Sequence, residues 1–586
     1  MVLTTVKSPV QSALVGTAKL QIFPQLIEEV SDHQSRGFTY QIAGDFETAI
    51  ADHEFSLQVA LSTGDQGIIW QSLMHSAIAL TSREQPKAED YFRAALEVAR
   101  LINDPLTLAH SLNLMGSWLT RVDRPSEGVI LHQEALALLE QINEQQEVAR
   151  TLDALGNAFA SLGNLEEAVL HYQRAASLFR NSADPMGLSS ALTGLTTCGM
   201  HYLNSVSKST GQDLVQSVKD GEEALGITQK IGWRSGEALA SVSLGLALSL
   251  PGNYGHALKD LRRGLQIARE IKNLHWQILA HIVLGATHLD LLSYHDAQQH
   301  LEEALALASQ TRPSRWQLLT LGFLVPTYIL QDQIPRAESA LASFSTDLPM
   351  QTIGQRQAWL ALAELRFAQG DSNRALKIVD TLMRSGGRNA GIDSSMSRLM
   401  KLRCEILIRL GLHEEARENL LLGLQNTTAQ GAQSLAWRFH VLFGEFYWQR
   451  KGYSKSERHY IAARRLVEKL ANTIPDVQLR TIFLYQAGML IPQRCTSRAG
   501  KLLYGGLTKR QYEIAMLIAQ KKTNREIAQE LRISELGVEK CFRNILTKLG
   551  LNSRAQIRNW MIARQMSQNL KGGVTHPGTS KQALRS

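Results

Sequence analysis

A small side chain recurs along this sequence about every forty residues, and that recurrence restricts the fold more than any single motif. The segments SLNLMGSWL, with Gly116, and TLDALGNAF, with Gly156, set the phase. The same position is held by Gly37, Ser76, Thr196, Gly245, Gly285, Val325, Ala363, Cys404 and Gly444. Nine of the ten intervals are 38 to 41 residues; the tenth, 49 residues from Thr196 to Gly245, holds the polar insertion NSVSKSTGQ. Twelve residues after each marker lies a second small side chain: Ala49, Ala88, Gly128, Ala168, Ala257, Ala297, Ala337, Ala375, Ala416 and Ser456. In the inserted unit it falls nine residues late, at Ser217. Between the two markers a glycine often closes the first helix, as at Gly44, Gly163, Gly252, Gly370 and Gly411, where a left-handed cap suits glycine best.

Two small positions in phase let paired helices approach closely, while Leu, Tyr and Phe around them fill a core. Each unit therefore reads as a helical hairpin that buries its apolar stripe only by stacking on its neighbours. These units resemble tetratricopeptide repeats, and LGNAFASLGNLEEAVLHYQRAASLF, Leu155 to Phe179, carries the likeness best. The period is longer than the usual ~34 residues of that family. About eleven units would cover residues 30 to 470. The resemblance implies a right-handed α-solenoid with a concave face for a protein, peptide or small-molecule ligand. Polar side chains on the first helix of each unit are the candidate groove residues.

The rest of the composition excludes more than it assigns. The longest apolar runs stay below eighteen residues, so no membrane span is expected. The N-terminal MVLTTVKSPVQSALVGTAKLQIF has no sustained apolar segment with a cleavage site, so no secretion signal is expected. Cys198, Cys404, Cys495 and Cys541 form no Cys-x-x-Cys pair. That pattern fits a reducing cytoplasm rather than a disulfide framework or a zinc site. His281, His288, His295 and His300 fall in one unit at spacings of 7, 7 and 5, which is not metal-ligand spacing, so they read as surface or partly buried histidines. No HExxH, G-x-S-x-G or Walker A motif occurs, and AGKLL at Gly500 and Lys501 lacks the upstream glycine and following hydroxyl of a phosphate loop. No catalytic residue, metal or cofactor is expected, and the chain reads as a non-enzyme.

Charge divides the sequence sharply. The formal net charge is +8, but the last 86 residues hold 16 Lys plus Arg against 5 Glu, a balance of +11. The first 500 residues sit at −3. A basic module on a near-neutral body points to a nucleic-acid partner for that module alone.

That module reads as four short helices after a basic, glycine-containing linker, Gln493 to Gly506. Thr508 caps the first, with Ile514, Leu517 and Ile518 facing inward. Thr523 and Glu526 form a capping box for the second, over Ile527, Ala528 and Leu531. Ser534 caps the third, where Val538, Phe542, Ile545 and Leu549 recur on one face. Ser553 caps the fourth, with Ile557, Trp560 and Met561 together.

About fifty residues, LTKRQYEIAMLIAQKKTNREIAQELRISELGVEKCFRNILTKLGLNSRAQI, closely resemble the LuxR-type helix-turn-helix domain. The resemblance implies bacterial transcription control, double-stranded DNA as partner and a third helix that enters the major groove. It also implies a homodimer on DNA, often formed through the fourth helix, and a contact with RNA polymerase. A repeat array joined to such a domain resembles the large maltose-regulator type of activator. The ATPase module those proteins carry has no counterpart in this sequence, so a separately encoded ATPase partner is a further expectation. On that resemblance Lys540, Arg543, Asn544, Thr547 and Lys548 are DNA-binding candidates on the third helix. Arg510, Lys521, Lys522, Asn524 and Arg525 form a rim toward the phosphates.

The family pattern Thr-Val-Lys-x-His reads here Gly537-Val538-Glu539-Lys540-Cys541. Glu539, the last DNA-binding candidate, stands where relatives carry a lysine. Three readings of it stay open. It accepts a hydrogen bond from cytosine N4, it pairs with Arg543 one turn on, or it repels phosphate and leaves weak binding. The expected architecture is all-α: an N-terminal extension (1–29), the solenoid (30–470), a capping helix (471–492), the linker (493–506), the helix-turn-helix domain (507–567) and a flexible tail (568–586).

Overall fold

The computed structural model describes residues 24–43, 46–81, 85–198, 214–310, 314–385, 397–492, 507 and 509–569, apart from 521, 532, 550 and 552. It divides into two compact units, residues 1–442 and 443–586, and the division falls within the helix Gln433–Gln449. The insertion NSVSKSTGQ, the linker Gln493–Gly506, Gly44 and the cap Thr508 lie outside the described residues.

In the first unit the forty-residue period is written into the backbone. Hairpins run from Pro24–Ala43 with Phe46–Thr63, through Pro105–Arg121 with Pro125–Gln141, to Ser397–Leu410 with His413–Ala429. Seven residues after the first marker the chain takes a left-handed conformation, at Asp123, Gly163, Gly252, Leu292, Asp332, Gly370 and Gly411. Fifteen residues after the second marker it does so again, at Gly64, Asn103, Asn143, Ala183, Gly232, Lys272 and Gly431. Each left-handed residue stops one helix and turns the chain into the next. Glycine makes this turn without a Cβ clash. Asp and Asn tolerate it, and a leucine such as Leu292 is held there by the helices on either side.

The markers are small because they meet. A Cβ built on Gly128 would lie 2.6 Å from the Gly116 carbonyl oxygen, and one on Gly245 would lie 2.9 Å from that of Ala257. The residue sixteen positions on then lies over the first marker: His132 over Gly116, Tyr172 over Gly156, Leu301 over Gly285. Adjacent hairpins pack through their first helices as well as in chain order, giving continuous cores such as Leu112, Leu139, Leu152, Tyr172 and Leu192.

The first helices are not alike. Gln145–Ser161 buries seven of seventeen residues, as an amphipathic helix does. Arg234–Ser249 buries thirteen of sixteen and Leu274–Asp290 twelve of seventeen. Side chains far along the sequence reach the C-terminal ends of both, and the next two first helices are tied in the same way. The Ser434 amide donates to the Leu250 carbonyl at 3.3 Å, and Leu214, Leu250, Ala432 and Leu435 form one apolar cluster. Arg438 Nη2 donates to the Asp290 carbonyl oxygen at 3.1 Å and to its carboxylate at 3.3 Å. Arg398 Nη2 donates to the Gly322 carbonyl and to Glu364, both at 2.9 Å.

In the second unit, Tyr453–Ala471 brings Ser456 Oγ within 2.6 Å of the Gly444 carbonyl, so the same marker pair meets again. Helix Val477–Leu490 follows, capped by Asp476, whose carboxylate accepts from the amides of Gln478 and Leu479.

Candidate nucleic-acid interface

The basic module holds four helices: Lys509–Ala519, Asn524–Glu530, Glu535–Leu549 and Arg554–Asn569. Local hydrogen bonds set their starts. Thr523 Oγ1 accepts from the Glu526 amide at 3.3 Å, and the Glu526 carboxylate accepts from the Thr523 amide at 2.6 Å, closing the capping box. The Thr523 amide, and then its hydroxyl at 2.8 Å, both donate to the Glu526 carboxylate and lower its pKa. Ser534 Oγ accepts from the Gly537 amide at 3.1 Å, and Ser553 Oγ from the Gln556 amide at 3.3 Å. Leu507, Ile514, Ile518, Ile527, Val538, Ile545, Ile557 and Met561 make the buried core, with Leu531, Phe542 and Trp560 packed partly exposed against it.

This core aims one face of Glu535–Leu549 outward. Val538, Ile545 and Leu549 point in, while Leu536, Lys540, Arg543, Asn544 and Thr547 are exposed. Glu539 accepts from Arg543 Nη2 at 2.6 Å, and Thr547 Oγ1 donates to the Arg543 carbonyl at 3.0 Å. Of the three readings of Glu539, the geometry contains the one-turn pair. With the Arg543 side chain 76% exposed, that pair is screened by water and holds the guanidinium only weakly.

The rim candidates are more tied down than their sequence positions suggest. Lys548 Nζ donates to Gln511 Oε1 at 2.7 Å. Arg510 donates to Glu513 at 3.0 Å and to the Leu531 carbonyl at 2.5 Å, which docks the second helix on the first. Lys522 pairs with Glu530, and Arg525 stands exposed. Lys521 lies outside the described residues. Asn524 Oδ1 accepts from Arg554 Nη1 at 2.6 Å, and Arg554 Nη2 donates to the Lys522 carbonyl at 2.5 Å. Arg554 was not among the sequence candidates, yet it joins the fourth helix to the start of the second and lies 5.6 Å from the Phe542 ring centroid. Its position straight after the Ser553 cap was the available signal.

At the alternative location, the polar face of the first helices in the repeat array, several side chains are engaged within the array. Trp70 Nε1 donates to Ser111 Oγ at 2.8 Å, Asn113 Nδ2 to Thr151 Oγ1 at 2.7 Å, and Ser190 Oγ to Asp153 at 2.8 Å. Each bond joins neighbouring first helices, one repeat apart. Three of the four clustered histidines also meet, which their spacing did not reveal. His281 and His300 face each other with Nδ1 atoms 3.1 Å apart, and His288 stacks on His300 at 5.6 Å. His281 and His288 are buried rather than at the surface, while His295 is exposed. Burial, then the neighbouring His300, pushes the His281 pKa down to about 3, so the ring stays neutral at ordinary pH. Among the described residues, no three or more His, Cys, Asp and Glu side chains are grouped to hold a metal ion. No helix among them is long and apolar enough to cross a membrane.

A helix-turn-helix with an outward basic face, joined to stacked helical hairpins, defines the class: a repeat protein carrying a regulator-type module. Residues 506–561 match the model of bacterial regulatory proteins of the LuxR family, and residues 107–181 match that of the tetratricopeptide repeat. The spore germination protein GerE of Bacillus subtilis is 48% identical over 50 residues, which is 8% of this chain and 68% of that protein. The chain therefore belongs to the LuxR family through this module. The transcriptional regulatory protein LiaR of Bacillus subtilis is 41% identical over 70 residues, 12% of this chain, and the match spans only 33% of that protein. Among solved structures, a Rap protein complexed with competence and sporulation factor aligns over 76% of this chain and 99% of its own, at 14% identity and a TM-score of 0.38.

Proposed function

We propose that this protein is a bacterial regulator of transcription in which helix Glu535–Leu549 enters the major groove of duplex DNA. The observation that carries the reading is the exposed face of that helix, where Lys540, Arg543, Asn544 and Thr547 stand clear of an intact core. In helix-turn-helix proteins the N-terminal part of the second helix of the motif meets base edges, and the first crosses the backbone. Lys540, Arg543 and Asn544 then meet bases or nearby phosphates with Thr547, while Lys548, Arg510, Lys521, Lys522, Asn524 and Arg525 form the phosphate-facing rim. Glu539 acts through Arg543, holding the guanidinium along the helix until phosphate draws it away. Released, the Glu539 carboxylate is available to cytosine N4.

On this reading the repeat array, about residues 30–470, receives a protein, peptide or small-molecule signal in the cytoplasm. It thereby sets the presentation or dimerisation of the module at 507–567. The chain has no catalytic role of its own. A second reading, an interaction scaffold that no longer reads DNA, draws its support from Glu539 itself, which occupies the family's lysine position and pairs with Arg543.

Genome-wide capture of DNA fragments by the full chain separates the two. The regulator reading predicts enrichment of discrete sites by the parent protein. The scaffold reading predicts even background in the parent, with sites appearing only for Glu539→Lys.

A further inference from the structure

Leu536 is 78% exposed, the highest value among the large apolar side chains exposed in the described residues. Single exposed leucines are ordinary on protein surfaces, so position decides what this one means. Leu536 is the second residue of Glu535–Leu549 and takes no part in the module's core. At helical spacing it shares a face with Lys540, Arg543 and Thr547, opposite the buried Val538, Ile545 and Leu549. Its neighbours leave it prominent. Gly537 has no side chain, and a Cβ there would meet only Ser534 Oγ, at 3.2 Å. Glu539 lies one residue beyond the first turn and pairs with Arg543 in the free protein. The first turn therefore offers DNA one carboxylate, Glu535, and one large apolar group.

An apolar group makes no hydrogen bond to a base edge. In the major groove the apolar feature of the four bases is the C5 methyl group of thymine. We infer that Leu536 is a specificity-determining residue that recognises a thymine through this methyl group, beside the base step met by Lys540. The inference rests on the DNA-binding reading above and extends it to a base. It also accounts for a face that opens without cations: phosphate attraction comes from Lys540 onward and from the rim, while the first turn selects by shape and dehydration.

The test uses the full chain. Duplex sites are selected from a random pool at low salt, and each thymine of the best site is replaced in turn by deoxyuridine, which lacks only the methyl group. Burial of one such group corresponds to about fourfold in affinity. The parent should lose about that factor at one thymine in each half-site. Leu536→Ala should show no loss at that thymine, and Leu536→Met, which keeps an apolar side chain of similar reach, should retain it. Equal responses of parent and Leu536→Ala at every thymine overturn the inference while leaving DNA binding intact. Failure to retain any duplex at low salt overturns the DNA-binding reading and this inference with it.

Discussion

Gly128 and Gly537 are both helical glycines, yet they stand in opposite circumstances. Gly128 has another backbone 2.6 Å from where its Cβ would sit, whereas the Cβ of Gly537 would meet only a serine hydroxyl at 3.2 Å. The contrast extends to the regions around them. In the repeat array, polar groups such as Asp290 and Arg438 are drawn inward and matched to one another. On the outer face of Glu535–Leu549, Leu536, Lys540 and Arg543 are turned outward. The array's residues answer to contacts within the chain, and those of the helix face stand in solvent, where the proposed function puts DNA.

The largest expected effect on that comparison comes from Arg438→Ala. It strands Asp290, which is only 4% exposed, beside Arg398 and no longer bonded to Arg438. Breaking a buried pair from one side costs about 3–5 kcal/mol, read as a lower midpoint of the array's urea transition at pH 8. Asp290→Asn tests the same place by pH. Burial raises the Asp290 pKa from 3.8 to about 6, against the opposing pull of Arg438. Between these values the folded chain holds the proton more tightly than the unfolded one. This carboxyl's contribution to stability therefore falls as pH rises from about 4 to about 6, by about 3 kcal/mol. Asp290→Asn should remove that slope, so its stability relative to the parent rises across the same window. An unchanged slope would mean that Asp290 is not buried as described.

Gly128→Ala should cost about 1–3 kcal/mol, since the close backbone approach must open. Gly537→Ala should have the opposite sign, stabilising the module by up to about 1 kcal/mol through helix propensity, because the exposed Ser534 hydroxyl has room to shift from a Cβ at 3.2 Å. Thermal unfolding of the two variants checks both. Equal signs would erase the distinction between the regions.

How much of this was legible in the sequence depends on how local the cause is. The period was visible because each small marker answers to a contact twelve residues away, and the capping box at Thr523 and Glu526 because it spans one turn. The left-handed turns at Asp123, Leu292 and Asp332 were not. The flanking helices impose that conformation, and only some units mark it with glycine. The His281–His300 contact joins two helices of one hairpin, and the Arg438–Asp290 bond crosses 148 residues, so neither leaves a local pattern. In the module, the Glu539–Arg543 pair was one of three open readings, since spacing permits it without requiring it. Arg554 escaped notice because its partners, Asn524 and the Lys522 carbonyl, lie some thirty residues earlier.

DNA binding by the outward face of Glu535–Leu549 is the step on which the regulator proposal depends. Its most direct test is a titration of the full chain with duplex DNA across a salt series, for the parent and for Arg543→Ala. The logarithm of the parent's affinity should fall linearly with the logarithm of salt concentration, and Arg543→Ala should lower the slope by about one. Binding absent at low salt, or equal slopes for the two proteins, would contradict it.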